Sequence, residues 1–123
     1  MLNTNFIMFY VDNPAISAAF YTKILGQQPC ESSPTFAMFL IDNGYKLGLW
    51  SKHTVEPAAT LSGGGGELGF PVTDVSDVDV LHAAWREEGL TIAQPPTQMD
   101  FGYTFVALDP DGHRLRVYAL TKQ

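Results

Sequence analysis

The chain has 123 residues, with 13 Asp and Glu against 7 Lys and Arg, 3 His, one Cys and a formal net charge of −6. That length fits one domain burying roughly two-thirds of its unfolded surface, and 46% hydrophobic against 16% charged residues describes an ordered globular chain. The acidic balance speaks against a nucleic-acid surface, no apolar run approaches the ~20 residues of a membrane span, and so few Cys and His exclude a zinc finger or iron–sulfur centre.

Residues 5–11 (NFIMFYV) alternate as a strand, with Phe6, Met8 and Tyr10 on one face and Ile7, Phe9 and Val11 on the other. Asn13-Pro14 supplies an N-cap and a Pro at the first helical position. Ile16, Phe20 and Ile24 then form the expected buried stripe of a helix, with Tyr21 and Leu25 beside it and Gly26 as its stop. A short strand is expected around 28–32. Strands at 35–41 (TFAMFLI) and 45–51 (YKLGLWS) flank Asp42-Asn43-Gly44, a hairpin signal. Residues 52–66 read as a mobile connector ending in four glycines. No Gly-Lys-Ser/Thr comes after them, so a phosphate loop is not indicated. The order then repeats: a strand at 67–72, a helix at 74–88 with Val78, Leu81 and Trp85 inward and Gly89 after it, a short strand at 91–94, and a longer one at 102–108. Asp109-Pro110-Asp111-Gly112 is a type I turn signal, and 115–119 closes the chain as a strand. Each half is therefore β-α-β-β-β in an α+β domain, 1–51 and 67–123, whose sheets each cover helices with one face. The opposite faces need another cover: the other half, a second chain or a ligand.

The duplicated pattern, with Phe20-Tyr21-x-x-Ile24-Leu25-Gly26 in the first helix and Asp109-Pro110-Asp111-Gly112-His113 before the last strand, resembles the vicinal oxygen chelate superfamily. That group comprises glyoxalase I, extradiol dioxygenases and bleomycin-resistance proteins. The resemblance covers essentially the whole chain. It implies a concave sheet around a cavity, in a domain paired as a homodimer. Metal enzymes of the family draw His or Glu ligands from the first and last strands of each half. Those places correspond here to Phe6, Gly48 (or Leu47), Glu67 and Arg116. Only Glu67 among them can ligate a metal; Arg116 is a permanent cation. A catalytic divalent site generally needs three protein ligands, so no metal and no other cofactor are expected.

Glu67 and Arg116 lie on strands that are neighbours in such a fold, which predicts an Arg–carboxylate pair in place of the metal half-site. Alternation then places Gly69, Arg114 and Tyr118 on the same face, Met8 and Tyr10 with Phe6, and Lys46 and Trp50 with Gly48. Tyr103 and Phe105 share a face and are expected to look into the cavity as well. Gly48 leaves room beside Trp50 for a flat ring. The 8 Phe, 5 Tyr and 2 Trp set against 3 His thus read as an aromatic lining where imidazoles would stand, suited to stacking a planar ligand. Trp85, on a helix stripe, reads as core.

The stretches Leu49-Trp50-Ser51, Glu67-Leu68-Gly69, Gly102-Tyr103-Thr104-Phe105 and Arg116-Val117 resemble the metal-free, antibiotic-binding members of the family. That likeness implies metal-independent sequestration of a small planar aromatic or hydrophobic compound, such as an antibiotic of the phenazine type. The expected ligand residues are Phe6, Met8, Gly48, Trp50, Glu67, Tyr103, Phe105, Arg116 and Tyr118. No catalytic residue is expected. The competing readings are a metal-dependent lyase or dioxygenase recruiting Glu67 and a His in another register, and a structural dimer with no ligand. The partners expected are the small aromatic ligand and a second copy, with neither nucleic acid nor membrane. The three His do not cluster, and His113, near Asp111, is placed to hydrogen-bond its turn. Asp74, Asp77 and Asp79 lack the Gly and distal Glu of a calcium loop and serve as carboxylates at a helix N-terminus. The start of the chain has no basic and apolar leader pattern. Cys30 cannot form an intramolecular disulfide, so a reducing, cytoplasmic setting is expected.

Overall fold

A computed structural model gives the structure of residues 2–121; Met1, Lys122 and Gln123, at the ends of the expected modules, lie outside the described residues. The chain divides into two compact units, Met1–Gly63 and Gly64–Gln123, and each runs strand, helix and three strands. In the first unit β1 (Phe6–Val11), α1 (Pro14–Leu25), β2 (Glu31–Ser33), β3 (Phe36–Leu40) and β4 (Lys46–Ser51) build a sheet of order β1-β4-β3-β2. In the second, β5 (Glu67–Pro71), α2 (Val75–Glu87), β6 (Thr91–Gln98), β7 (Gly102–Leu108) and β8 (Arg114–Leu120) repeat it as β5-β8-β7-β6. In both, the first and last strands pair in parallel and the other neighbours antiparallel. A parallel pair needs a long crossover, and each helix with its two following strands lies within that connection.

The first helix begins where the sequence signals it. The Asn13 side chain accepts from the amides of Ala15 and Ile16 at 3.0 and 3.4 Å, and Gly26 ends the helix at φ +71°. Its buried face differs from the expected one. Pro14, Ser17, Ala18 and Tyr21 are buried, whereas Ile16 is 57% exposed and Phe20 and Ile24 are half-buried. Small residues at three- and four-residue spacing let the helix approach the sheet closely, and Tyr21 then reaches Phe39 with ring centroids 6.3 Å apart. Hydrophobicity alone picks the wrong stripe because this helix is apolar nearly all round.

The second helix follows its pattern. Asp74 and Asp77 form a reciprocal capping box, and Val78 and Trp85 are buried. Trp85 meets Phe70 and Phe105 edge-on at 6.0 and 5.4 Å.

Three connections depart from expectation. Asp42–Gly44 is a turn of 3₁₀ helix. The segment read as a connector from Lys52 begins as a turn fixed to the first unit: Lys52 N–H donates to the Val11 carbonyl, His53 Nε2 lies 2.7 Å from Asp12 Oδ1, and Val55 is buried. Strand β6 continues through Pro95 and Pro96 to Gln98 instead of stopping at Gln94. It is an edge strand whose pairing with β7 shifts register twice, between Ile92, Gln94 and Thr97, so the prolines need donate nothing to the ladder.

Candidate functional site

Register decides which side chains share a face, because directly opposed residues project to the same side. In the first unit Ile7, Leu47 and Phe39 align, as do Phe9, Leu49 and Ala37, and Phe39 of this set meets Tyr21 of α1. The opposite face carries Phe6, Met8 and Tyr10 from β1, Lys46, Gly48 and Trp50 from β4, and Phe36, Met38 and Leu40 from β3. Apart from the buried Gly48, these residues are half-buried or, for Leu40, 50% exposed. The face is a sheet of rings and thioethers, with Lys46 at one end and Glu31 on the edge strand opposite Met38. Leu47 is fully buried on the helix side, so the open face has Gly48 at this place. Gly48 does not leave an empty slot. A Cβ there would meet Phe6 Cε1 at 2.8 Å and Met8 Sδ at 2.9 Å. The glycine lets those two side chains lie down over the strand, which leaves no slot for a flat ring beneath them.

In the second unit the open face carries Glu67 and Gly69 on β5, Arg114, Arg116 and Tyr118 on β8, and Thr104 and Val106 on β7. Glu67 and Arg116 form a bidentate pair: Nε donates to Oε1 at 2.7 Å and Nη2 to Oε2 at 2.9 Å. Arg116 Nη1 also donates to Gln94 Oε1 at 3.1 Å and to Thr104 Oγ1 at 3.2 Å. The buried Thr104 hydroxyl in turn donates to the Val117 carbonyl at 2.8 Å. Arg114 Nη1 lies 3.5 Å from Glu67 Oε2. The guanidinium of Arg116 holds the Glu67 carboxyl below its ordinary pKa, and Glu67 raises Arg116 in return; partial burial opposes both shifts. The Arg116 guanidinium carbon stands 6.0 Å from the Phe101 ring centroid, and Phe101 meets Tyr118 edge-on at 6.5 Å. Tyr118 itself lies over Gly69, where a Cβ would come within 3.3 Å of its ring.

Two expected ligand residues belong elsewhere. Phe105 is fully buried on the helix side, with Trp85 and His82 edge-on at 5.4 and 5.3 Å. Tyr103 points the same way, its hydroxyl donating to Asp79 of α2 at 2.8 Å, a bond that raises the phenol's pKa. The reason is register. Phe105 opposes Val117 and Tyr103 opposes Ala119, and Val117 already belongs to the helix-facing set. The signal was available in the turn: Asp109 N–H donates to the His113 carbonyl, and stepping outward from that closure puts Phe105 opposite Val117. Thr104, Gln94 and Phe101 are the polar and aromatic residues that stand around Arg116. No motif marks them.

Asp109 explains the turn motif. Its carboxylate accepts from the amides of Asp111 and His113 at 2.8 Å each, and His113 Nδ1 faces its other oxygen at 2.9 Å. The imidazole thus bonds its turn through Asp109. Both residues are buried, so the motif closes a hairpin. His53, the other histidine near a carboxylate, lies exposed against Asp12 and lowers that carboxyl's pKa.

Residues 4–117 match the profile of the Glyoxalase/Bleomycin resistance protein/Dioxygenase superfamily. The chain belongs to this superfamily. It is 31% identical over 123 residues to the phenazine antibiotic resistance protein EhpR of Enterobacter agglomerans, covering 97% of this chain and 93% of that one. The solution NMR structure of protein ATC0852 from Agrobacterium tumefaciens is 54% identical, with a TM-score of 0.92 over 99% of this chain and 100% of that chain. A glyoxalase-related enzyme from Fulvimarina pelagi shares the fold at a TM-score of 0.84 and 22% identity, over 97% and 88% of the two chains. The two β-α-β-β-β units are the superfamily's paired modules. The metal of its enzymes does not fit the residues present. Phe6 and Gly48 have no donor, Arg116 is cationic, and both oxygens of Glu67 are engaged by Arg116. Among the described residues no group of three or more His, Cys, Asp or Glu is placed to hold a metal ion. No helix among them is long and apolar enough to cross a membrane.

Proposed function

We propose that this chain binds and sequesters a small planar aromatic or hydrophobic compound without a metal ion, with phenazine-type antibiotics the first class to test. The observation that carries the reading is the open face of the first unit, where Phe6, Met8, Trp50, Phe36 and Met38 surround Gly48. Rings and thioethers left half-exposed on a sheet offer stacking area to a flat ligand at little conformational cost. The likeness to EhpR supports the same class of ligand. Of the residues named from the sequence, Phe6, Met8, Gly48 and Trp50 form the proposed stacking surface on the first unit, and Glu67, Arg116 and Tyr118 share the open face of the second. The proposal includes a single functional domain over residues 1–123 and a homodimer as the working form.

The test is a titration with phenazine monitored by thermal shift, since a ligand that binds only the folded state must stabilise it. Trp50→Ala is expected to weaken binding by about 1–3 kcal/mol if the indole anchors the ring. Unchanged affinity in a folded variant would remove Trp50 from the site. Recovery of a chemically altered compound would show turnover and replace sequestration with an enzymatic role.

A further inference from the structure

We propose that the open face of the second unit holds a carboxylate site of its own, which takes an aromatic carboxylate in preference to a neutral ring; this goes beyond the binding role proposed above, whose stacking face lies on the first unit. The site is a cavity of about 250 Å³ lined by Ala93, Gln94, Val106, Arg114 and Arg116. Two guanidiniums face it, and Glu67 is the carboxylate beside them. A chain with net charge −6 therefore carries one surplus positive charge at this cavity. Arg116 is held in place by four hydrogen bonds, two to Glu67 and one each to Gln94 and Thr104, which leaves one Nη2 N–H unused. Arg114 has a single long contact, 3.5 Å to Glu67 Oε2, and its side chain is 50% exposed. Its planar fork can turn to a ligand carboxylate in a bidentate pair.

The fixed partner lowers the ordering cost of binding, and the surplus charge of one matches a monoanion. A phosphate dianion would exceed that charge and repel Glu67. The aromatic part of the ligand also finds a neighbour here: Phe101 is 40% exposed, beside Arg116 and edge-on to Tyr118.

The experiment is an NMR titration of the ¹⁵N-labelled full chain with benzoate and with benzamide, its neutral near-isostere, at constant ionic strength. Amides of residues 104–106 and 114–116 and the arginine Nε–H groups report the site. Benzoate is expected to bind at least about tenfold tighter than benzamide, as hydrogen bonds to charged groups warrant. Arg114→Gln should abolish that preference. Glu67→Gln should strengthen benzoate binding, because it raises the local charge from one to two. Equal binding of the two probes, or a preference that survives Arg114→Gln, overturns the carboxylate site. Phenazine titrated in parallel separates the two proposals. Phenazine binding without a benzoate preference ends the carboxylate site and leaves the stacking role standing; a benzoate preference without phenazine binding does the reverse.

Discussion

Replacing Arg116 with Ala removes four hydrogen bonds at once: the two to Glu67 and those to Gln94 and Thr104. The Arg116 and Glu67 side chains are 20% and 32% exposed, so the pair lies between an exposed ion pair, worth about 0–1 kcal/mol, and buried charge-assisted bonds, worth about 1.5–3 kcal/mol each. Thr104 keeps its donor bond to Val117, and Arg114 stands near enough to recover part of the Glu67 interaction. The net loss is then about 1–2 kcal/mol, which for a domain of this size lowers Tm by about 4–10 °C. The pH dependence has a definite sign. The Glu67 pKa is lowered in the folded state, so its contribution is fully present above the unfolded-state value of about 4.3. It is lost as pH falls through the lower folded-state value. Arg116 stays charged throughout and adds nothing to this window.

Urea unfolding of the parent chain, Arg116→Ala, Glu67→Gln and the double variant, at pH 6 and again near pH 2.5, measures both effects. The double-mutant cycle should show coupling of about 1 kcal/mol at pH 6 that shrinks at the lower pH. Full additivity at pH 6, or a coupling indifferent to pH, would refute the claim that this pair stabilises the second unit.

Phe105→Ala should cost about 3–5 kcal/mol, because it empties a fully buried site against Trp85 and His82; a loss below about 1 kcal/mol in urea unfolding would contradict the helix-side placement. Gly48→Ala pushes a methyl to 2.8 Å from the Phe6 ring and 2.9 Å from Met8 Sδ. Both are ends of flexible side chains, so the fold should survive with a cost of about 1 kcal/mol. The Phe6 ring must shift, and phenazine should bind more weakly. Unchanged Phe6 ring resonances would show that the close approach over Gly48 does not hold in solution.

Much of this molecule was legible in the residues themselves. Asn13-Pro14 and Gly26 bound one helix, and Asp74 with Gly89 bounds the other, because caps and left-handed stops are local chemistry. Alternation placed Phe6, Met8 and Tyr10 on one face of β1, since strand period two requires no tertiary information, whereas the pairing of Glu67 with Arg116 followed from the family resemblance, which makes their strands neighbours. Such signals failed where a choice depended on a neighbour. The buried side of α1 is Pro14, Ser17, Ala18 and Tyr21, and in a helix apolar nearly all round the apolar count cannot select that face. The passage of β6 through Pro95 and Pro96 depends on its being an edge strand with shifted pairing.

The candidate site divides in the same way. The chemical character of each open face, rings on the first unit and an Arg–carboxylate pair on the second, was written in its residue types. Which residues complete it was decided by cross-strand register. One step of alternation separates Thr104, which supports Arg116, from Tyr103 and Phe105, which serve the helix-facing core. A sequence specifies two alternating faces for every strand, but only pairing with a second strand determines which face is closed by a helix and which stays open to a ligand.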